Sequence, residues 1–424
     1  MVVPDAVPPG RRTLVALFAA ALALRIAAVM VSGPSRNEFG DAAAYVRTAR
    51  VLIDTGTYPA DVDPLPVFRA PGYPVFLALS TLGHPEATAL DKLWNAVLGA
   101  FSVVMLALLA RRMLGSRRAA VLAGGIAAVH PSFIVLSIDV KSEALFVLCL
   151  LGAAHLLLKG HDESRGSWAC WGGVLLGLAI LTRPSALVFL PLLPFLALDL
   201  RGEARRRVPS LAIAACLLVV GPWTVRNALV HRAWLPVNDQ MGLVLYQGNS
   251  EMNERYYRLR TRSEYEAWTR YVSAEIENGS IHALAGPPGT NPGVRSRALA
   301  RAAIDWMRQD PGRTLSLLLH KAADWLRPWP SPFRWSRPVV IAVGGYNTLL
   351  GIAAVFGLYW APRGLTVAAL VVFVTTMAIH VLLLTIWRYR IVYWDPVLVI
   401  YASYGIARSS ARAPGAVPSS GGRP

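Results

Sequence analysis

Residues 13–32 read TLVALFAAALALRIAAVMVS, twenty positions with a single charged side chain, Arg25. A helix needs about 20 apolar residues to cross the hydrocarbon core of a bilayer. No small-residue cleavage site follows, and Arg25 interrupts the apolar run, so the stretch reads as an uncleaved span rather than a signal peptide. Nine more apolar blocks follow, at 92–114, 117–138, 140–158, 168–182, 184–199, 208–229, 338–360, 364–386 and 391–407. Several are short or carry proline, which brackets the count at nine to eleven. The 424 residues are 54% hydrophobic and 16% charged, whereas an average globular domain is roughly a quarter charged. With a mean hydropathy of +0.44, this excludes a soluble chain and a disordered one. The 34 glycines keep no three-residue period, which excludes a collagen-like repeat. The expected fold class is an all-α polytopic membrane protein with about ten transmembrane helices.

Net charge is +17, from 42 Lys and Arg against 25 Asp and Glu. Such an excess fits basic cytoplasmic loops or a phosphate-rich partner. With the N-terminus placed in the cytoplasm, the cytoplasmic segments carry sixteen Lys and Arg. The short outer turns then carry four (Lys141, Arg183, Arg388 and Arg390), and residues 33–91 add four more. The chain divides into an N-terminal transmembrane module (1–229), an outer segment (230–337), C-terminal transmembrane helices (338–408) and a cytoplasmic tail (409–424) rich in Gly, Pro and Ser, which reads as disordered. The first outer loop, 33–91, holds an expected helix at 40–55 that Gly56 can close. The segment 230–337 holds helical stretches near 263–278 and 295–326, separated by Gly286-Pro287-Pro288-Gly289. Cys149, Cys170 and Cys216 lie in apolar blocks and offer no disulfide framework or metal spacing.

Chemistry is therefore expected on the outer face. Asp41 falls in the first turn of the 40–55 helix, where backbone N–H groups favour its ionised form, and Tyr45 lies one turn on. It reads either as a helix cap or as a carboxylate able to take a proton from a hydroxyl. Arg69, Arg226, Arg388 and Arg390 each read as snorkelling interface residues or, together, as guanidinium forks for a lipid phosphate. Asp139 and Glu143 are spaced i,i+4 beside Lys141, a structural ion-pair group or a catalytic pair. Asp61-Val62-Asp63 has a metal-holding form without a nucleotide-binding fold around it, and His130 and His380 have no second ligand at useful spacing. Asn278-Gly279-Ser280 matches a glycosylation acceptor, relevant only in a secretory-pathway host. The absence of a Walker A loop and of a GxGxxG after a strand argues against ATP-driven transport by this chain.

The order Gly40-Asp41-Ala42-Ala43-Ala44-Tyr45, Gly56-Thr57-Tyr58 and Arg69-Ala70-Pro71-Gly72-Tyr73-Pro74 resembles the first outer loop of bacterial GT-C glycosyltransferases. The nearest group is the glycosyltransferase family 39 set related to protein O-mannosyltransferases and the aminoarabinose transferase of lipid A. Ser142-Glu143-Ala144-Leu145-Phe146, Leu181-Thr182-Arg183-Pro184, Pro222-Trp223-Thr224-Val225-Arg226-Asn227, Gln247-Gly248-Asn249 and Arg388-Tyr389-Arg390 extend the likeness over about 12–405. The resemblance implies a GT-C bundle with extracytoplasmic interfacial helices in the plasma (inner) membrane, both termini cytoplasmic. It implies an inverting hexosyl- or pentosyltransferase taking its sugar from a polyprenyl phosphate. Asp41 would be the general base and Asp139 a second catalytic acid. Arg69 would lie near the donor phosphate, with Tyr45, Glu143, Arg226, Asn249, Arg388 and Arg390 as substrate-binding positions. Relatives often have adjacent Asp-Glu in the first loop, whereas Asp41 is followed by Ala42 and preceded by Glu38. No metal ligand is carried over on that ground, and a divalent metal is left open as a cofactor.

The expected partners are the polyprenyl-phosphate-sugar donor, membrane lipids and a glycan, lipid or protein acceptor read by 230–337, not nucleic acid. Outside the cytoplasm there is no nucleotide-sugar pool, so the sugar must arrive already activated, on a leaving group the membrane delivers. A transporter or flippase for a lipid-linked saccharide is the alternative of another class, but the inverted repeats it predicts are not evident in the chain. An oligosaccharide ligase or polymerase is the neighbouring reaction.

Overall fold

A chain in hydrocarbon must satisfy its backbone polar groups internally, and a helix does so within one segment. The computed structural model describes residues 9–32, 41–59, 68–81, 88–198, 200–277, 279–287 and 289–411. Glu38, Asp61, Asp63, Asn278 and the tail from 412 lie outside them. Among the described residues every regular element is helical.

The first module runs α1 (Arg11–Ser32), α2 (Asp41–Thr55), α3 (Gly72–Ser80), α4 (Thr88–Leu114), α5 (Arg117–Val129), α6 (Pro131–Val135), α7 (Glu143–Asp162) and α8 (Gly166–Thr182). A 3-10 segment (Pro184–Ala197) and α9 (Ala204–His231) complete it. Six short to medium helices follow: α10 (Gln240–Gly248), α11 (Glu251–Arg258), α12 (Arg262–Glu277), α13 (Ser280–Ala285), α14 (Pro292–Gln309) and α15 (Pro311–Leu326). The chain ends in α16 (Arg337–Trp360), α17 (Arg363–Leu382), α18 (Trp387–Tyr393) and α19 (Asp395–Ala411). Among the described residues six helices are long and apolar enough to cross a membrane, namely α1, α4, α7, α9, α16 and α17, with α8 and the 3-10 segment as shorter apolar elements.

Proline explains where the elements depart from the expected blocks. The block 117–138 breaks at His130, which is extended before Pro131, because a residue preceding proline is pushed out of the helical region. Pro311 likewise divides 295–326, and Asp310 caps the second piece by accepting from the Arg313 N–H at 2.9 Å. In 184–199 Pro191 and Pro194 remove N–H donors three residues apart, and the segment winds as a 3-10 helix.

α4 and α7 run in the same direction with α5 returning between them, which gathers two sets of ends. At one end Arg112 pairs with Asp162 and Arg118 donates to Ser410. At the other, Lys92 donates to Ser32, Asn95 to the Asp139 carbonyl, and Arg183 pairs with Glu143. α8 and α9 pack with almost no side chain between them: a Cβ on Gly173 would stand 2.1 Å from the Ala212 carbonyl oxygen, the close approach that small residues permit inside a membrane. Arg25 is 1% exposed and neither snorkels nor meets an acid. It donates to the carbonyls of Ala21, Ala127 and Ala128, the last two belonging to the final turn of α5, whose carbonyls have no partner within the helix.

Candidate active site

Asp41 opens α2, and both of its oxygens are taken by guanidinium groups. Arg69 donates to Oδ1 at 3.1 Å and Arg388 to Oδ2 at 2.5 Å. Arg388 also stands 3.5 Å from Glu143, which is 2% exposed and pairs with Arg183 at 3.1 Å. Three guanidinium groups thus face two carboxylates, leaving one positive charge. Burial alone would raise the Asp41 carboxyl, but Arg388 and Arg69 outweigh it and hold it well below the usual carboxylate range. Tyr45, one turn further along α2, donates to the Ser142 hydroxyl at 3.2 Å, and Arg183 donates to the same oxygen at 3.3 Å. The Arg69 guanidinium lies 5.6 Å from the Tyr45 ring centre and that of Arg183 5.0 Å from Tyr389, within cation–π reach.

Local sequence explains how these groups are presented. Arg183 is extended at the end of α8 because Pro184 follows it. Arg388 falls in the first turn of α18, after the extended residue Ile386. Arg69 lies in an irregular stretch pinned at several points. The Phe68 N–H donates to Asp239 at 2.9 Å, Asp239 pairs with Arg295 at 3.2 Å, and Tyr58 donates to the Arg69 carbonyl at 2.9 Å. Asp239 and Arg295 are 0% and 1% exposed, and burial lifts the Asp239 carboxyl to about 6 despite Arg295.

The other expected positions lie elsewhere. Arg226 donates to the Tyr58 carbonyl at 2.8 Å and packs against Trp223, one layer behind Arg69. Arg390 turns to the buried Asp395 at 3.0 Å and the Arg327 carbonyl at 2.8 Å. Asn249 is fully buried, donating to the carbonyls of Leu245 and Leu382 and accepting from Lys321 at 3.0 Å. Asp139 does not pair with Glu143; it is 33% exposed and bound by Lys141 at 2.5 Å. The reading of single residues missed Arg183 and Ser142 as site members, although both stand in the quoted stretches. Asp239, Arg295 and Lys321 carry no local signal.

Two cavities meet at Arg388. One, about 480 Å³, has Asp41, Arg69, Arg183 and Arg388 in its wall, with Leu187, Val244 and Ile379 among its apolar lining. The other, about 360 Å³, is lined by Asp139, Lys141 and Glu143 and by aromatic residues of α11 and α12. Gln247, Leu384 and Ile386 line both. Among the described residues no three of His, Cys, Asp and Glu come together as a metal site.

This bundle superposes on the archaeal oligosaccharyltransferase AglB from Archaeoglobus fulgidus, solved with an inhibitory peptide and a dolichol-phosphate, at a TM-score of 0.55. The two are 12% identical over 93% of this chain and 50% of that one. The chain has the GT-C fold. It spans about half the length of AglB. Residues 69–225 match the family model described as dolichyl-phosphate-mannose-protein mannosyltransferase, a stretch that starts at Arg69 and takes in Glu143 and Arg183. ArnT from Cupriavidus metallidurans, solved bound to undecaprenyl phosphate, aligns with 95% of this chain and 79% of its own at 18% identity and a TM-score of 0.42. No curated protein matches the chain in sequence. In this GT-C bundle, therefore, the matched stretch spans most of the transmembrane half that supplies the Arg69, Glu143 and Arg183 side chains.

Proposed function

We propose that the protein is an inverting glycosyltransferase that moves a sugar from a polyprenyl phosphate to an acceptor hydroxyl on the extracytoplasmic face of the plasma (inner) membrane. The observation that carries this reading is Asp41 held between Arg69 and Arg388 in the wall of the 480 Å³ cavity, which meets the second cavity at Arg388. The prenyl chain suits the apolar lining of the 480 Å³ cavity, and its phosphate suits the guanidinium cluster in the same wall, since arginine binds phosphate through paired N–H donors.

In this reaction the acceptor hydroxyl oxygen attacks the anomeric carbon from the face opposite the phosphate. Its proton passes to the Asp41 carboxylate. The bond from the anomeric carbon to the phosphate oxygen breaks, and its electrons leave on the lipid phosphate, where Arg69, Arg183 and Arg388 stabilise them. The arginines set the timing as well. While they sit on Asp41 it is a weak base; once a phosphate draws them, the carboxylate regains affinity for a proton. Donor binding thus prepares the base.

The test is sugar transfer by purified protein in lipid, with radiolabelled polyprenyl-phosphate monosaccharides and an envelope extract as acceptor. Asp41→Asn is expected to lower transfer by about 10²–10⁴. Equal transfer by both proteins would remove Asp41 from the chemistry and direct attention to Asp139 and Glu143. Label crossing the bilayer without transfer would favour a transporter.

A further inference from the structure

The second cavity has a wall that the transfer chemistry does not require. α12 contributes Tyr265 and Trp268, and α11 contributes Tyr256. These rings are held in place. The Trp268 indole donates to the Met252 carbonyl at 2.9 Å. Tyr265 lies 5.9 Å from Trp268 at 25° and 6.0 Å from Phe333 at 17°, so its ring is nearly parallel to both neighbours. Beside these rings are polar groups of fixed orientation. Asp324, 8% exposed, is paired with Arg327 at 2.8 Å, and both line the cavity. The Trp387 indole N–H, on a residue 9% exposed that also lines it, has no hydrogen-bond partner among the described residues. A buried donor left unpaired is costly, so an acceptor atom at that position would be bound favourably.

Flat aromatic faces beside a few fixed donors and acceptors fit one chemistry better than others. A sugar ring has an apolar face of C–H groups, which meets the negative face of an aromatic ring, and an edge of hydroxyls that both donate and accept. A peptide bound by strand addition would need an open sheet edge, and no strand occurs among the described residues. A second lipid chain would gain nothing from Asp324, Arg327 and the free indole N–H.

We infer that this cavity binds a sugar ring of a glycan, which makes the acceptor a carbohydrate; the inference rests on the transferase reading for the word acceptor, but not for the binding. Tyr265 and Trp268 form the platform, and Asp324, Arg327 and Trp387 read the hydroxyls.

Saturation-transfer NMR on the full chain in nanodiscs tests it, with short linear oligosaccharides of mannose, galactose, arabinose and N-acetylglucosamine and a Ser/Thr-rich peptide as separate probes. At least one oligosaccharide is expected to bind. Tyr265→Ala and Trp268→Ala should each weaken it about tenfold, while Tyr265→Phe, which keeps the ring, should stay within about twofold. The phenylalanine variant and the thermal midpoint of each protein separate loss of the platform from loss of the fold. Binding of the peptide alone, of no probe, or of an oligosaccharide indifferent to both alanines overturns the inference. A parallel arm follows release of label from polyprenyl-phosphate sugars by wild type, with and without the oligosaccharides. Glycan binding without any donor turnover defeats the transferase reading and leaves the sugar site standing. Donor turnover with peptide-only binding does the opposite.

Discussion

At Asp41 the nearest charges decide the protonation state more than the carboxyl does. Both oxygens accept from guanidinium groups, and the depressed proton affinity that follows keeps this carboxylate, the proposed base, ionised through the whole neutral range. The profile of kcat/KM, which reports the free enzyme, should therefore stay level on its acid side down to about pH 4, near the ordinary aspartate value. Arg388→Ala removes the stronger of the two partners and lets burial push the carboxyl up. Its acid limb is expected to move upward into the measurable range, and its plateau to fall by about 10²–10³. A pH–rate profile unchanged in shape would show that Arg388 does not govern Asp41. Glu143, by contrast, keeps Arg183 in the variant, so the cluster loses one link and not its framework.

Between elements, the end of α17 is held by two helices of the 230–337 segment. Gly248 closes α10 so tightly against the following turn that a Cβ would stand 1.5 Å from the Leu383 carbonyl oxygen. Asn249 donates to the Leu382 carbonyl at 2.8 Å, and Lys321 of α15 donates to the Leu383 carbonyl and to Asn249, both at 3.0 Å. The stretch that leaves this clamp, Leu384 to Ile386, leads directly to Arg388. Burial brings the Lys321 ammonium down to about 7, and a neutral amine still donates both bonds. In the unfolded chain its proton stays on to about pH 10.4. Between those values the unfolded state holds more protons, so stability should rise from about pH 7 to about pH 10. Lys321→Met is expected to flatten that rise in thermal midpoints measured across the range; an unchanged slope would assign it to other groups. Gly248→Ala should lower kcat by displacing Arg388, visible as loss of transfer at saturating donor.

At the scale of the molecule, a buried ion pair within the 230–337 segment also holds the first module, through the Phe68 N–H. Asp239 takes the Phe68 N–H with one oxygen and Arg295 with the other, so the stretch that presents Arg69 is fastened to α10 and α14. Breaking such a pair strands a charge and costs about 3–5 kcal/mol, whereas replacing both partners with apolar groups can be nearly neutral. Arg295→Met is expected to lower the unfolding midpoint clearly, and Asp239→Leu together with Arg295→Met to recover much of the loss. Equal losses in single and double variants would mean that the pair is not coupled. For the same reason, exchanging all of 230–337 should abolish transfer, while exchanging only α12 should change which acceptor is used.

Composition, apolar block length and loop charge are properties of the chain in one dimension, and they already determined an all-α membrane bundle. Asp41, Tyr45 and Arg69 were legible for the same reason, since each follows from its place at a helix start or beside prolines. Which arginine meets which acid was not. Arg388 reaches Asp41 from 347 positions away, on α18, which packs against α7 and α19. Arg390 stands only two residues on, but residues two apart on a helix face different sides, and it turns to Asp395 instead. Arg226 stands out in the sequence at the outer end of an apolar stretch and Asn249 only through the family resemblance, and folding spends both on neighbouring carbonyls. Lys321, Asp239 and Arg295 look like ordinary surface residues in the sequence. Only the tertiary structure buries them, because a buried charge is tolerated when the fold brings a partner to it, and that partner is chosen by how the helices cross.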